Sequence, residues 1–192
     1  MPPRTKITRD MVAQAALAVA RQEGLDAVNA RTVAARLGCS TQPVMYCFQT
    51  IAELKKTVFE LADRYHTEYM LTVPPDRDPL PAMGLNYVRF AVEEPQLFRL
   101  LFQSGLAGGR NLQEMLDEEA LSPILSAIAA EGGADGAQAK EIFLTLAMFV
   151  HGYASLLANN AMEYDEEQLA IWLEQVYEGA ALAAEKRREA TP

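Results

Sequence analysis

The chain has 192 residues, half of them hydrophobic, and a formal net charge of −9. This composition can bury a sizeable core and excludes an intrinsically disordered chain. Two cysteines are too few for a disulfide framework, and no uninterrupted run of about 18 apolar residues indicates a membrane helix. The N-terminal residues lack a signal-peptide pattern, so we expect a cytoplasmic protein with no membrane partner.

Charge is distributed unevenly along the chain. Residues 1–60 carry eight Lys and Arg against five Asp and Glu, a net charge of +3, whereas residues 61–192 carry −12. A basic N-terminal part on an acidic remainder is typical of a protein that meets a polyanion at one end only. The distribution therefore favours nucleic acid as a partner despite the negative total.

Apolar residues recur with helical spacing along the whole chain, and no long alternating pattern indicates a strand. Thr8 and Thr50 are predicted N-caps, Asn29 is predicted to open the second helix, and Gly24 and Gly38 are predicted helix stops. Pro123 predicts a kink or break near Ser122 in one long helix. In chain order, the predicted helices cover residues 9–23, 29–37, 41–48, 51–70, 80–94, 96–103, 111–131, 138–160 and 166–188.

The second and third helices are joined by the tight turn Leu37-Gly38-Cys39-Ser40. A glycine in such a turn lets two helices cross steeply, which is the layout of a helix-turn-helix. Thr41, Gln42 and Pro43 then lie at the exposed N-terminal end of the third helix, the end that enters the major groove. They offer a hydroxyl, an amide for adenine and a small apolar ring for the thymine methyl.

Residues 8–61 resemble the TetR family of bacterial repressors. The resemblance is carried by Ala34-Ala35-Arg36-Leu37-Gly38-Cys39-Ser40-Thr41-Gln42-Pro43-Val44, with Phe48 and Glu53-Leu54 beyond it. It implies a DNA-binding regulator in which bases are read by Arg31, Thr41, Gln42 and Pro43, and the sugar-phosphate backbone is contacted by Tyr46, Thr50 and Lys55. The chain departs from the family pattern at Met45, Cys47 and Ile51. Because the family usually has Lys at the position of Ile51, Lys55 or Lys56 would have to replace that phosphate contact.

Taken singly, each of these residues can also be explained without any contact to DNA. Arg31 can be a solvated residue at a helix start, and Tyr46 can be a half-buried core residue. Cys39 and Cys47 suggest a redox pair. However, Cys39 lies in the turn and Cys47 on the third helix, so a disulfide between them is not expected. They are better explained as a small turn residue and a small core residue.

The remaining residues have to supply dimerisation and a ligand pocket if the N-terminal part binds DNA. The stretch around His151-Gly152 resembles the His-Gly-centred C-terminal region of one branch of TetR-like regulators. Bulky apolar and polarisable residues are typical of ligand pockets, although each can equally be core. The pocket candidates are Tyr87, Phe90, Phe102, Met115, Met148 and His151.

The last two predicted helices are the candidates for a homodimer interface. A two-fold contact between paired apolar-faced helices makes a four-helix bundle. The candidate interface residues are Phe149, Tyr153, Trp172 and Val176. For Trp172, packing inside its own subunit is an equal alternative.

The sequence thus predicts an all-α protein in three parts. Residues 1–50 would form a three-helix helix-turn-helix DNA-binding domain, residues 51–70 a connecting helix, and residues 74–188 a helical bundle for ligand binding and dimerisation. The predicted function is a TetR-like repressor that binds a palindromic operator as a dimer and is released by a small-molecule effector. Two alternatives stay open, a helix-turn-helix regulator without an inducer and a helical protein-interaction module.

An enzyme is not predicted. His66 and His151 have no Ser or Cys in a nucleophile setting, and no glycine-rich phosphate loop is present. The sequence also offers no metal-ligand cluster, so neither a metal nor another cofactor is expected.

Overall fold

The computed structural model describes residues 7–107, 121–132, 134–159 and 162–190. All regular structure within these ranges is helical, so the prediction of an all-α fold is confirmed. The helices are α1 (Arg9–Glu23), a 3-10 turn (Leu25–Ala27), α2 (Ala30–Leu37), α3 (Thr41–Cys47), α4 (Ile51–Leu71), α5 (Pro79–Glu93), α6 (Pro95–Phe102), a 3-10 turn (Gly105–Ala107), α7 (Ser122–Gly132), α8 (Gly136–Ala158) and α9 (Glu166–Ala190).

The contacts divide the chain into two compact units. The head unit comprises Met1–Glu68 and Glu94–Ala107, and the body unit comprises Tyr69–Glu93 and Gly108–Pro192. The head unit therefore contains α6 in addition to the N-terminal helices. The domain limits predicted from the sequence stay a prediction.

The head unit is built around α1, which packs against α2, α3 and α6. Thr8 caps α1 by accepting a hydrogen bond from the Met11 amide at 3.2 Å, and Gly24 ends it at a φ of 88°. Both ends agree with the sequence prediction. Fully buried side chains of this unit come from all of its helices and include Val12, Val19, Val33, Val44, Phe48, Leu54, Val58, Leu97, Phe98 and Leu100.

In the body unit α8 packs against α5, α7 and α9. A Cβ atom at Gly84 of α5 would lie 3.3 Å from Leu173 Cδ1 of α9, so the bare glycine lets these two helices approach closely. Arg89 of α5 also donates to both carboxylate oxygens of Glu166 at 2.8 Å, which fixes the first turn of α9. One buried cluster consists of Ile128, Ala139, Ile142, Ala180 and Ala184.

The predicted break near Ser122 is the point at which α7 begins. Pro123 is its second residue, a first-turn position where proline costs no backbone hydrogen bond. Residues 111–120 of that predicted helix lie outside the described residues. So does Met115, one of the pocket candidates.

By length and composition alone, α8 is apolar enough to cross a membrane, with a mean hydropathy of 1.5 in its most apolar window. This helix contains no uninterrupted run of about 18 apolar residues, so the sequence alone did not indicate it as a candidate membrane helix. Core helices of globular proteins pass the same test, and α8 packs against three other helices of its unit. Its hydropathy is therefore weak evidence for a membrane span.

Candidate nucleic-acid interface

The turn between α2 and α3 is formed by backbone hydrogen bonds around Gly38. The Cys39 amide donates to the Ala34 carbonyl at 3.0 Å, and the Gly38 amide donates to the Ala35 carbonyl at 3.2 Å. This bond pair requires a left-handed residue, and Gly38 adopts a φ of 64° and a ψ of 33°. The turn thus ends α2 abruptly and allows α3 to start after only three intervening residues.

The other end of α2 is fixed by Asn29. Its side-chain oxygen accepts hydrogen bonds from the Arg31 amide at 2.9 Å and the Thr32 amide at 3.2 Å, while Thr32 Oγ1 accepts from the Asn29 amide. This reciprocal arrangement is a capping box. It leaves the Arg31 side chain exposed at the start of the helix.

One side of α3 is buried and the other faces solvent. Val44 and Phe48 are fully buried in the head unit. Thr41, Gln42 and Tyr46 lie on the exposed side, and 90% of the Tyr46 surface is accessible. This exposure rules out the alternative that Tyr46 is a half-buried core residue. Pro43 is half-buried, so its ring is less available than the neighbouring side chains.

The start of α4 contributes two further candidates. Thr50 is exposed, and its hydroxyl oxygen accepts a hydrogen bond from the Glu53 amide at 3.1 Å, so it caps the helix. The Lys55 ammonium lies 3.9 Å from Asp26 Oδ1, and only 25% of its side chain is accessible. Lys56 is exposed. Of the two lysines proposed to replace the missing phosphate contact, Lys56 is the more accessible one.

Sequence reasoning missed Arg9, the first residue of α1. Its guanidinium donates from Nη1 to the Cys47 carbonyl at 2.5 Å and from Nη2 to Glu53 Oε1 at 2.8 Å. It also lies over the Phe48 ring, 3.9 Å from the centroid. These partners are 38 to 44 residues away in the chain. No local pattern in the sequence signals contacts at that distance.

In the body unit, two of the pocket candidates contact one another. The Tyr87 hydroxyl and His151 Nδ1 are 2.9 Å apart and join α5 to α8. Burial raises the pKa of Tyr87 and lowers the pKa of His151, so both groups are neutral at physiological pH. The result is a neutral hydrogen-bonding pair between two apolar helices.

The other described pocket candidates are dispersed. Phe90 is fully buried and packs edge-on against Tyr69. Phe102 belongs to the head unit, where it packs against His66 and Phe98. Met148 is exposed on α8, so its position suits a surface contact better than an enclosed pocket.

The interface candidates fall into two groups. Tyr153 is buried and packs edge-on against Trp172 of the same subunit, with ring centroids 5.8 Å apart. Trp172, Phe149 and Val176 are half-buried. The predicted interface did not include the most accessible apolar side chains of α8 and α9, which we call the α8/α9 stripe; its members are Met148, Leu156, Ile171 and Leu182.

The C-terminal part of the chain matches a family model described as the C-terminal domain of tetracycline repressor-like proteins. The match covers residues 80–177, slightly more than half of the chain. The chain belongs to the TetR family. It is therefore a TetR-like transcriptional regulator, as the helix-turn-helix turn and the His151-Gly152 segment suggested.

Several solved structures share the fold. A TetR variant from Acinetobacter baumannii in complex with minocycline is 19% identical, with a TM-score of 0.61 over 93% of this chain and 99% of that one. A Rhodococcus transcriptional regulator is 22% identical, with a TM-score of 0.62 over 90% and 97%. The multidrug binding protein EbrR in complex with proflavin is 20% identical, with a TM-score of 0.56 over 88% and 98%. A search of curated protein sequences gives no significant match.

Metal-ligand groups and reactive cysteines are two further features to consider in this TetR-family chain. Within the described residues, no three His, Cys, Asp or Glu side chains are grouped to hold a metal ion. Cys39 and Cys47 are free thiols, and both are half-buried. The exposed face of α3 is thus the part of the described head unit with the clearest recognition chemistry.

Proposed function

We propose that this TetR-family regulator binds duplex DNA through α3, with Thr41, Gln42 and Pro43 at base edges and Arg31 reaching a guanine from the start of α2. Tyr46, Thr50 and a lysine of α4 would contact the sugar-phosphate backbone. The observation that carries the proposal is the two-sided α3, in which buried Val44 and Phe48 fix a helix whose amide and phenol face solvent. A helix of this kind, following a tight turn, suits the major groove.

We further propose that the protein is a cytoplasmic homodimer and that it represses transcription from a palindromic operator. A dimer presents two equivalent heads, and palindromic half-sites match that symmetry. The α8/α9 stripe supports the interface, because Met148, Gly152 and Leu156 share one side of α8 and are all exposed. Ile171 and Leu182 are three helical turns apart on one side of α9. No catalytic or cofactor-dependent role forms part of this proposal.

Genome-wide recovery of bound fragments would identify the operator, and affinity would then be measured against salt concentration. We expect the affinity for random duplex to fall steeply as salt rises, because lysine and arginine displace condensed counterions. Binding that is absent, or flat with salt, would contradict the proposal and favour a protein-interaction module.

Base reading is tested with Gln42→Ala. Loss of a bidentate amide contact should weaken operator binding about tenfold and relax the preference at one base pair, while random-duplex affinity stays unchanged. Gln14→Ala is the matched control, since Gln14 is an exposed glutamine on α1. Equal losses on operator and random duplex would show that Gln42 does not read a base.

Which lysine reaches phosphate is tested with Lys56→Ala and Lys55→Ala. Removing a phosphate contact should lower the slope of log affinity against log salt by about one. We expect this change for Lys56→Ala and a smaller one for Lys55→Ala, because the Lys55 ammonium lies near Asp26. The reverse order would assign the contact to Lys55.

We propose that a small-molecule effector contacts the Tyr87–His151 pair and lowers DNA affinity. A few polar groups within an apolar lining are typical of ligand sites, and two structural relatives were solved with minocycline or proflavin. Those two compounds are the first probes, with binding followed by proflavin fluorescence and by thermal shift. Tyr87→Phe with His151→Gln should weaken any binding about tenfold or more. If neither these probes nor a metabolite extract alters operator binding, a regulator without an inducer describes the protein better.

A further inference from the structure

We propose that Arg9 is a positioning residue for the recognition helix, holding the end of α3 and the start of α4 so that Tyr46 and Thr50 keep a fixed spacing on DNA. This inference rests on the proposed DNA binding. We call the contacts among Arg9, Cys47, Phe48 and Glu53 the Arg9 brace.

The brace joins three helices through one planar group. The guanidinium edge donates to the carbonyl of Cys47, the last residue of α3, and to the carboxylate of Glu53 in the first turn of α4. The guanidinium face lies on the ring of Phe48, which is itself fully buried. An arginine can use its edge and its face at the same time, whereas a lysine ammonium cannot. The position therefore depends on the guanidinium and not only on the charge.

Glu53 extends the brace into the connection between α3 and α4. Its Oε2 accepts a hydrogen bond from the Gln49 amide at 3.0 Å, and its own amide donates to Thr50 Oγ1 at 3.1 Å. Tyr46 lies just before this connection, and Thr50 is its last residue. Both backbone-contact candidates are thus attached to the segment that Arg9 and Glu53 hold.

A role in global stability does not explain these contacts well. More than half of the Arg9 side chain and 40% of the Glu53 side chain are accessible. Exposed ion pairs contribute little to the free energy of unfolding, because water and salt screen them. What the brace can set is the local geometry of the connection, and DNA affinity is sensitive to small displacements of its contacts.

The first measurement needs no DNA. Amide hydrogen exchange of Gln49 and Phe48 would be compared in the wild type, Arg9→Gln and Arg9→Lys. We expect exchange at both amides to rise about tenfold in Arg9→Gln and nearly as much in Arg9→Lys, with the midpoint of urea unfolding unchanged. Arg36→Gln is the matched control, because Arg36 is an exposed arginine that donates to Gln22. Unchanged exchange in Arg9→Gln would overturn the proposal.

The second measurement uses a duplex carrying the recovered palindrome and a random duplex at several salt concentrations. Arg9→Gln should lose about tenfold in affinity for the palindrome, and the slope of log affinity against log salt should stay that of the wild type. A slope lowered by about one, with equal losses on both duplexes, would make Arg9 a direct phosphate contact and overturn the positioning role. If the wild type bound neither duplex, the proposed function would fail. The exchange data would then still decide whether the brace orders the connection.

Discussion

At Gly38 the backbone φ of 64° lies in the left-handed region, and a Cβ atom there would meet no other atom within 4 Å. A glycine is thus required here because of the left-handed backbone conformation, and not because a larger side chain would clash. We expect Gly38→Ala to lower the free energy of unfolding by about 1–2 kcal/mol, the cost of a left-handed non-glycine residue. Gly38→Asn should lose less, because asparagine tolerates this region. Urea unfolding followed by circular dichroism measures both, and equal losses would indicate a steric cause instead.

His66 makes the head unit sensitive to acid. The ring is buried and packs edge-on against Phe102, and burial lowers its pKa to about 4. An unfolded chain takes up the proton below about pH 6.5, whereas the folded chain resists it until about pH 4. The neutral ring therefore contributes about 3 kcal/mol above pH 6.5, and this contribution is lost as the pH falls through 4.

The test compares the wild type with His66→Phe, which keeps an aromatic contact for Phe102. Between pH 7 and pH 4 the wild type should lose about 3 kcal/mol more unfolding free energy than the variant. Carboxylate titrations occur in both proteins and cancel in the difference. Parallel stability curves would show that His66 takes up its proton without penalty.

At the level of helices, an ion pair fastens the end of α1 to the residue before α6. Arg21 donates from Nε to Glu94 Oε2 at 2.6 Å and from Nη2 to Oε1, and the Tyr65 hydroxyl donates to the same carboxylate at 3.3 Å. Only 6% of the Glu94 side chain is accessible, whereas about half of Arg21 is. The hydrogen bond to Glu94 raises the pKa of Arg21.

Removing Arg21 would leave a buried carboxylate without its cation. We expect Arg21→Ala to cost about 2–3 kcal/mol of unfolding free energy, below the cost for a fully buried pair because Arg21 is half exposed. Glu94→Gln should cost less, and the double variant should cost less than the sum of the two changes. Arg36→Ala, which removes only an exposed hydrogen bond, is the control and should cost less than about 0.5 kcal/mol. Additive losses would show that Arg21 and Glu94 act independently.

Helices were predictable where their limits are set by neighbours in the chain. Thr8 and Gly24 define α1, and Gly38 defines the turn before α3, because caps and left-handed stops act within a few residues. Pro123 was harder to interpret, since the same residue can kink a helix or begin one. The Arg9 and Arg21 contacts span 44 and 73 residues, and no periodic pattern reports such pairs.

The candidate nucleic-acid interface could be predicted from the sequence where it depends only on which face of α3 is exposed. The spacing of Val44 and Phe48 indicates which side of α3 is buried, and it thereby leaves Gln42 and Tyr46 outside. The roles of the α8 and α9 surfaces were less predictable than that of α3, because the sequence of an apolar face does not reveal which neighbour covers it. Trp172 has the spacing of an interface residue, yet its ring packs against Tyr153 of its own subunit.

For the whole molecule, the opposite net charges of residues 1–60 and residues 61–192 indicate different roles for these two parts of the chain. Residues 61–192 carry −12, so under the proposed function they would repel DNA and favour contact through residues 1–60 alone. Residues 1–60 of a single chain, with a net charge of +3, offer few phosphate contacts. Two heads in one dimer raise the affinity through effective concentration, provided that both reach their half-sites. Dimerisation is therefore expected to control operator affinity more strongly than any one base contact.

The α8/α9 stripe is the surface on which this expectation depends. Met148→Asp would place a charge within the proposed interface, where it would be desolvated without a partner. Sedimentation velocity should then report a monomer, and affinity for the palindrome should fall about a hundredfold or more, while the affinity of each head for a single half-site stays unchanged. Val92→Asp is the matched control, since Val92 is an exposed apolar residue on α5 and not on α8 or α9. A Met148→Asp protein that remained dimeric would place the interface elsewhere, and a monomer with undiminished palindrome affinity would show that the two heads bind independently.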